Sequence, residues 1–271
     1  MKLAGSHIVL TGAAGGIGCA LACELAARGA ALLLVGRDAA RVEALAATLP
    51  DARAVAADLT RAEGIERVRV AAQDFGANGL VNNAGQAAFG RFAQATPAQI
   101  ASVVATNLIA PMQLTQALLP QLLAAGEAFV LNVGSAVGRI GLPGQAIYGA
   151  SKFGLHGFSQ ALRRELAGTC VRVLHCSPRA TDTGFNDAAA RAHQRATRTP
   201  VDDPSHVARA IARQIERGTP ERTLGFPERL AVRINGALPA ALDGVLAAQA
   251  RALDPSGVRA EPMNPSEEVR P

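Results

Sequence analysis

A chain of 271 residues, 49% apolar, 18% charged and only 3% aromatic, holds enough apolar mass for one large α/β domain rather than two small ones. No apolar run reaches the roughly 18 residues of a transmembrane helix, and glycines interrupt the opening MKLAGSHIVLTGAAGG where a secretory signal would stay apolar. The net charge of +5 comes from arginines spread along a chain that lacks tryptophan, which argues against a nucleic-acid surface of clustered cations and stacking rings.

HIVLTG reads as a first buried strand, and CALACELAARG as the helix after it, closed by Gly29. Between them lie Gly12, Gly16 and Gly18, spaced G-x-x-x-G-x-G. A glycine turn there lets backbone amides approach a phosphate, and the positive end of the following helix favours the anion. The second strand, ALLLVGR, puts Gly36 where an NAD site usually carries an acidic residue, and Arg37 follows. A guanidinium at that position suits a 2′-phosphate. The neighbouring Asp38 reads as the cap of the helix AARVEALAATL. NADP(H) is therefore favoured over NAD(H).

ARAVAADL, GLVNNAG and AFVLNVGS continue the series of short apolar strands, with GIERVRVAAQDFG and the long PAQIASVVATNLIAPMQLTQALLPQLLAAG as helices between them. Asn107 is a poor helix former inside the latter, and Pro111, four residues on, has no N–H to give its carbonyl. A kinked helix whose free carbonyl can hold water is expected. Ser135 ends AFVLNVGS, at the carboxyl edge of the sheet where ligands of open α/β sheets bind.

AIYGASKFG then holds the only tyrosine, Tyr148, and one of two lysines, Lys152, in a chain with 25 arginines. Four residues apart on a helix, the two converge on one point. The ammonium is expected to lower the phenol's pKa from about 10 toward the working range, making it a proton donor or acceptor at a carbonyl oxygen. His156, a further turn on, is read as packing or interface.

VRVLHCSP is the sixth strand, and residues 184–204 after it read as a mobile substrate lid. PSHVARAIARQIERG is a helix with Pro204 just ahead of its start, and TLGFP an edge strand. Two helical pieces split near Gly236 and Pro239 complete residues 205–255, and 256–271 reads as a disordered tail. The four cysteines show neither a disulfide framework nor ligand spacing, so buried thiols in a reducing cytoplasm and no catalytic metal are expected. Strands alternating with helices predict a single doubly wound Rossmann-type α/β domain over 1–255, its parallel sheet covered by helices on both faces.

Together these residues resemble the short-chain dehydrogenase/reductase family over about residues 5–185. TGAAGGIG matches its T-G-x-x-x-G-x-G loop, NNAG at 82–85 its fourth-strand motif, and Asn107, Ser135, Tyr148 and Lys152 its Asn-Ser-Tyr-Lys tetrad. The resemblance implies a cofactor site built from Thr11, Gly12, Ala14, Gly15, Gly16, Ile17 and Gly18, with Asp58 and Leu59 bordering the adenine. It further implies Asn83, Ala84 and Gly85 near the adenosine ribose, and Lys152 on the nicotinamide ribose with Tyr148 as general acid/base. Pro178, Thr181 and Thr183 would sit by the carboxamide, in a P-G-x-x-x-T segment whose glycine is replaced by Arg179, a cation that could point to the substrate mouth. A homodimer or homotetramer is implied as well.

The leading expectation is an NADPH-dependent enzyme interconverting a ketone or aldehyde and an alcohol. Phe185, Ile140, Leu142 and Pro143 would line an apolar pocket. A 3-ketoacyl thioester greeted by Arg139, Arg191, Arg195 and Arg198 is the alternative, and a non-catalytic NADP-binding sensor or scaffold a third reading. The apolar positions of 228–252 are read as packing on the domain or on a partner subunit, ahead of contact with a membrane surface.

Overall fold

The computed structural model describes residues 1–251 and 253. The expected disordered tail, 256–271, lies outside them. The chain runs β1 (His7–Thr11), α1 (Gly16–Ala27), β2 (Ala31–Gly36), α2 (Ala39–Ala46), β3 (Ala52–Ala56), α3 (Ala62–Asp74), β4 (Gly79–Asn82), α4 (Pro97–Val104), α5 (Ala110–Ala124) and β5 (Ala128–Val133). It continues α6 (Ala146–Glu165), β6 (Val171–Ser177), α7 (Ala188–Ala196), α8 (Pro204–Arg217), β7 (Glu221–Thr223), α9 (Glu228–Ala237) and α10 (Asp243–Arg251).

All seven strands pair in parallel in the order β3-β2-β1-β4-β5-β6-β7. The strands are apolar on both sides because each face of the sheet is covered. Leu10, Leu34 and Leu174 face α1 and α8, while Val9, Leu33, Val130 and Val173 face α3, α5 and α6. The strand order reverses between β1 and β4, and there the carboxyl edge opens a crevice.

Local signals set most boundaries. Pro204 opens α8 behind Asp203, whose side chain accepts from the Ser205 N–H, and Gly218 closes it in the left-handed region at φ 64°. The seventh strand departs from expectation: it is Glu221–Thr223, not TLGFP, and Leu224 N–H reaches Ser177 O just beyond it. The segment read as a lid folds as α7, capped by the Asp187 carboxylate, and a bridge between Thr181 and Asp202 ties its two ends. Among the cysteines only Cys176 is fully buried; Cys19 and Cys23 are exposed, which corrects the expectation of buried thiols.

Candidate active site

The glycine turn is shaped by contacts that admit no side chain. Gly12 has φ +63°, and a Cβ on it would lie 2.7 Å from Ala84 Cα. A Cβ on Gly18 would lie 2.1 Å from Gly12 O. Thr11, at the end of β1, accepts hydrogen bonds on Oγ1 from the N–H groups of Asn83 and Ala84, both at 3.0 Å. Asn83 returns the contact, its Nδ2 donating to Thr11 O at 3.0 Å and Gly12 O at 3.2 Å. The loops after β1 and β4 are thus stitched together, leaving Gly15 and Gly16 exposed at the start of α1 with no capping side chain. The first amides of that helix are free to meet an anion. Ala14 and Ile17 complete the turn half-buried, and Thr183 closes over it: a Cβ on Gly16 would lie 2.3 Å from Thr183 Cγ2.

The lip beyond β2 carries Arg37, exposed, while Asp38 accepts from Arg41 N–H at 3.2 Å as the α2 cap. Arg41 was not singled out from the sequence, yet its guanidinium donates to Ala14 O at 2.7 Å in the glycine turn. On the same lip Asp58 is held below the usual carboxylate range, first by hydrogen bonds from Thr60, with smaller help from Arg37 and Arg61. Leu59 beside it packs partly buried under α3.

The four candidate catalytic residues come from three elements. Asn107 sits fully buried in a π-helical turn, Ala105–Ile109, joining α4 to α5. The structure replaces the expected kink with this widened turn, in which Ala110 N–H bonds to Ala105 O five residues back. Asn107 Oδ1 accepts from Gln86 N–H at 2.7 Å, and its Nδ2 donates to Gln86 O at 2.9 Å and Ser151 Oγ at 3.0 Å. Gln86 and Ser151 are positioning residues that nothing in their sequence context marks. Ser135 lies two residues beyond β5, capping the short turn Ala136–Gly138, and hydrogen-bonds the phenol of Tyr148. Lys152 is buried, with Nζ donating to Val133 O at 2.9 Å and standing 5.9 Å from the Tyr148 ring centre. Gly85 is the shared floor: a Cβ there would meet Asn107 Oδ1 at 3.4 Å, Phe185 at 3.6 Å and Lys152 Nζ at 3.8 Å.

Electrostatics differ from the expectation that the ammonium acidifies the phenol. Burial pushes the Tyr148 phenol up to about 12, against the opposing hydrogen bond with Ser135. Burial likewise pulls the Lys152 ammonium down to about 8, because its charge lies away from water with one carbonyl partner. In this arrangement the phenol is a held proton donor at neutral pH.

Beyond β6, Ala136 N–H donates to Pro178 O at 2.8 Å, and buried Thr181 turns its hydroxyl to Arg179 O at 3.1 Å. Arg179 does not point to the substrate mouth: it donates to Asp202 at 2.7 Å and lies 3.4 Å from Glu228, so both its charge and its position are taken. Arg139 is engaged likewise by Glu221 at 3.2 Å. Phe185 leans over the tyrosine, ring centres 6.0 Å apart, and Ile140 is buried.

A polar row runs beneath the site. Asn82, Asn132, His175 and Glu221 stand in register on four adjacent strands. Asn82 donates to Asn132 at 2.8 Å, and Asn132 to Ser159 at 2.9 Å. His156 meets Glu221 at 3.1 Å and the His175 ring at 5.0 Å, the packing role expected of it. Among the described residues no group of three or more His, Cys, Asp or Glu could hold a metal ion.

A profile of the short chain dehydrogenase family matches residues 6–194. The chain is 33% identical over 227 residues to the ketoacyl reductase HetN of a Nostoc species, covering 81% of this chain and 78% of that one. Among solved structures, a short-chain dehydrogenase from Sphingobium yanoikuyae in complex with NADPH is 30% identical with a TM-score of 0.75, over 96% of this chain and 99% of the other. A 3-ketoacyl-(acyl-carrier-protein) reductase from Brucella melitensis complexed with NADH is 29% identical with a TM-score of 0.74, over 82% and 96%.

Proposed function

We propose a function from one premise: the chain belongs to the short-chain dehydrogenase family and is an oxidoreductase. The proposed reaction interconverts a ketone or aldehyde with an alcohol, using NADP(H), at the site formed by Asn107, Ser135, Tyr148 and Lys152. The observation that carries it is the convergence of Asn107 and Lys152 on Gly85, with Tyr148 hydrogen-bonded to Ser135 beside them.

The uncapped start of α1, with its side-chain-free turn and Thr183 closing over Gly16, fits a dinucleotide pyrophosphate. Bound there, a reduced nicotinamide would supply the hydride to the carbonyl carbon. Ser135 and Tyr148 orient the carbonyl oxygen, and the Tyr148 hydroxyl gives it a proton, so the alcohol leaves with one hydride and one proton gained. Lys152 stabilises the phenolate that remains, and Asn107 fixes the loop at Gln86 that walls the site. Phe185 over the tyrosine supports an apolar substrate. With Arg139 and Arg179 held by carboxylates, an acyl thioester has fewer cations to meet than the sequence suggested.

Oxidation of NADPH is to be followed with a panel of apolar ketones. Tyr148→Phe should lower turnover roughly 10²–10⁴-fold while dinucleotide affinity stays within about twofold. Undiminished turnover would remove the phenol from the reaction, and binding without turnover in the unaltered chain would return the sensor reading.

A further inference from the structure

We propose that α9 and the segment after it form a docking surface for a bilayer that carries anionic lipid. Three contacts on one side fix how α9 lies. Glu228 meets Arg179 at 3.4 Å, Val232 is buried, and Asn235 Nδ2 donates to Arg139 O at 2.9 Å. At about 100° per residue these positions share one face of the helix.

Leu230 and Ile234 then fall on the opposite face, turned away from the body of the protein. They do not pack on the domain, which corrects that part of the sequence reading: Leu230 is 50% exposed. Phe226 before the helix is 75% exposed, Leu238 after it 67%, and Val245 on α10 69%. Leu230 and Ile234, one turn apart on α9, form a short exposed apolar ridge that needs an occupant.

The charge beside the ridge selects that occupant. Arg229 and Arg233, one turn apart and exposed, flank the apolar stripe, and exposed Arg251 ends α10. Among the described residues no carboxylate pairs with any of the three, and Glu228 is already engaged by Arg179. A second copy meeting this surface about a twofold axis would bring arginines toward arginines, with Asp243 the one exposed acid in α9 and α10 to answer them. An apolar stripe edged by arginine is instead the form of a helix lying in the headgroup boundary of an anionic membrane. No described helix is long and apolar enough to cross one, so the contact is peripheral.

The full chain should be sedimented with vesicles of phosphatidylcholine alone and of phosphatidylcholine with about one third phosphatidylglycerol. Binding to the anionic vesicles is expected, and Leu230→Ser with Leu238→Ser should abolish it. Arg229→Gln with Arg233→Gln should weaken it roughly thirtyfold. These positions are exposed, so melting temperature and ketone reduction in detergent-free buffer should stay unchanged. The proposal is overturned by failure to sediment with either vesicle, or by binding indifferent to both pairs of substitutions. It is overturned equally if Leu230→Ser with Leu238→Ser splits an oligomer in light scattering, which would assign the ridge to self-association.

Discussion

Thr183, in the loop after β6, stands over Gly16 at the start of α1 so closely that a Cβ on the glycine would lie 2.3 Å from its methyl. Two segments 167 residues apart in sequence thereby frame the mouth of the glycine turn. Gly16→Ala should lower stability, since the added methyl would lie 2.3 Å from Cγ2 and 2.5 Å from Cβ of Thr183, an overlap that outweighs alanine's better helix propensity. The methyl must displace Thr183, so dinucleotide affinity should fall roughly tenfold, about 1.4 kcal/mol. Fluorescence titration with NADPH checks this, and an unaltered dissociation constant would mean that Thr183 does not close the cofactor mouth.

The proposed preference for NADP(H) rests on the exposed Arg37 and on Arg41, which reaches Ala14 O. A charge-assisted hydrogen bond to a phosphate contributes about 1.5–3 kcal/mol. Arg37→Ala should therefore lower kcat/KM for NADPH at least about tenfold and leave that for NADH nearly unchanged. Equal losses with both cofactors would assign Arg37 to structure rather than to the 2′-phosphate.

In the proposed mechanism Lys152 makes the reaction pH-dependent. Burial lowers its pKa to about 8, so the ammonium that supports the phenolate is lost as pH rises through that value. Because kcat/KM for the dinucleotide reports the free enzyme, it should fall above about pH 8. Tyr148, raised to about 12, stays protonated throughout this window, as its proposed role as acid requires. The effect on stability has the opposite sign: the unfolded lysine binds its proton more tightly, so folding gains as pH rises from 8 toward 10.5. A rate profile level to pH 9.5 would count against the charge of Lys152.

Residues whose role is local were legible in the sequence. Gly12, Gly18 and the Asp38 cap follow from turn chemistry and spacing, and six of the seven strands from short apolar runs. What stayed hidden depends on tertiary contact. Ser151 and Gln86 look like ordinary polar residues until the π-helical turn brings Asn107 between them. The seventh strand was misplaced because ERT carries no apolar signal: Glu221 stands there to collect Arg139, His156, Gln160 and Arg163. Arg179 was aimed at the substrate because its partners, Asp202 and Glu228, lie 23 and 49 residues further along the chain.

His175 gives the last prediction. Ser159 spends its one proton on Leu155 O at 2.6 Å, so His175 Nδ1 must be the donor in their 3.1 Å contact. The Nε2 lone pair then faces Gly134, buried and without a partner. Burial holds the ring's pKa down to about 3, with the charges of His156 and Lys152 acting in the same direction. A folded state that refuses a proton taken up by the unfolded chain loses stability as pH falls from 6.5 toward 3. For one such group the slope approaches about 1.4 kcal/mol per pH unit. Glu221, held near 2, adds to the loss only below about pH 4.5, so at pH 5 the loss comes from His175 and from its neighbour His156, whose pKa burial also lowers. His175→Leu leaves Ser159 bonded to Leu155 and strands no donor, so it should reduce the dependence between pH 7.5 and pH 5, leaving the smaller part due to His156. Urea unfolding at those two values decides it: an equal drop in both proteins would show that His175 does not govern the acid limb.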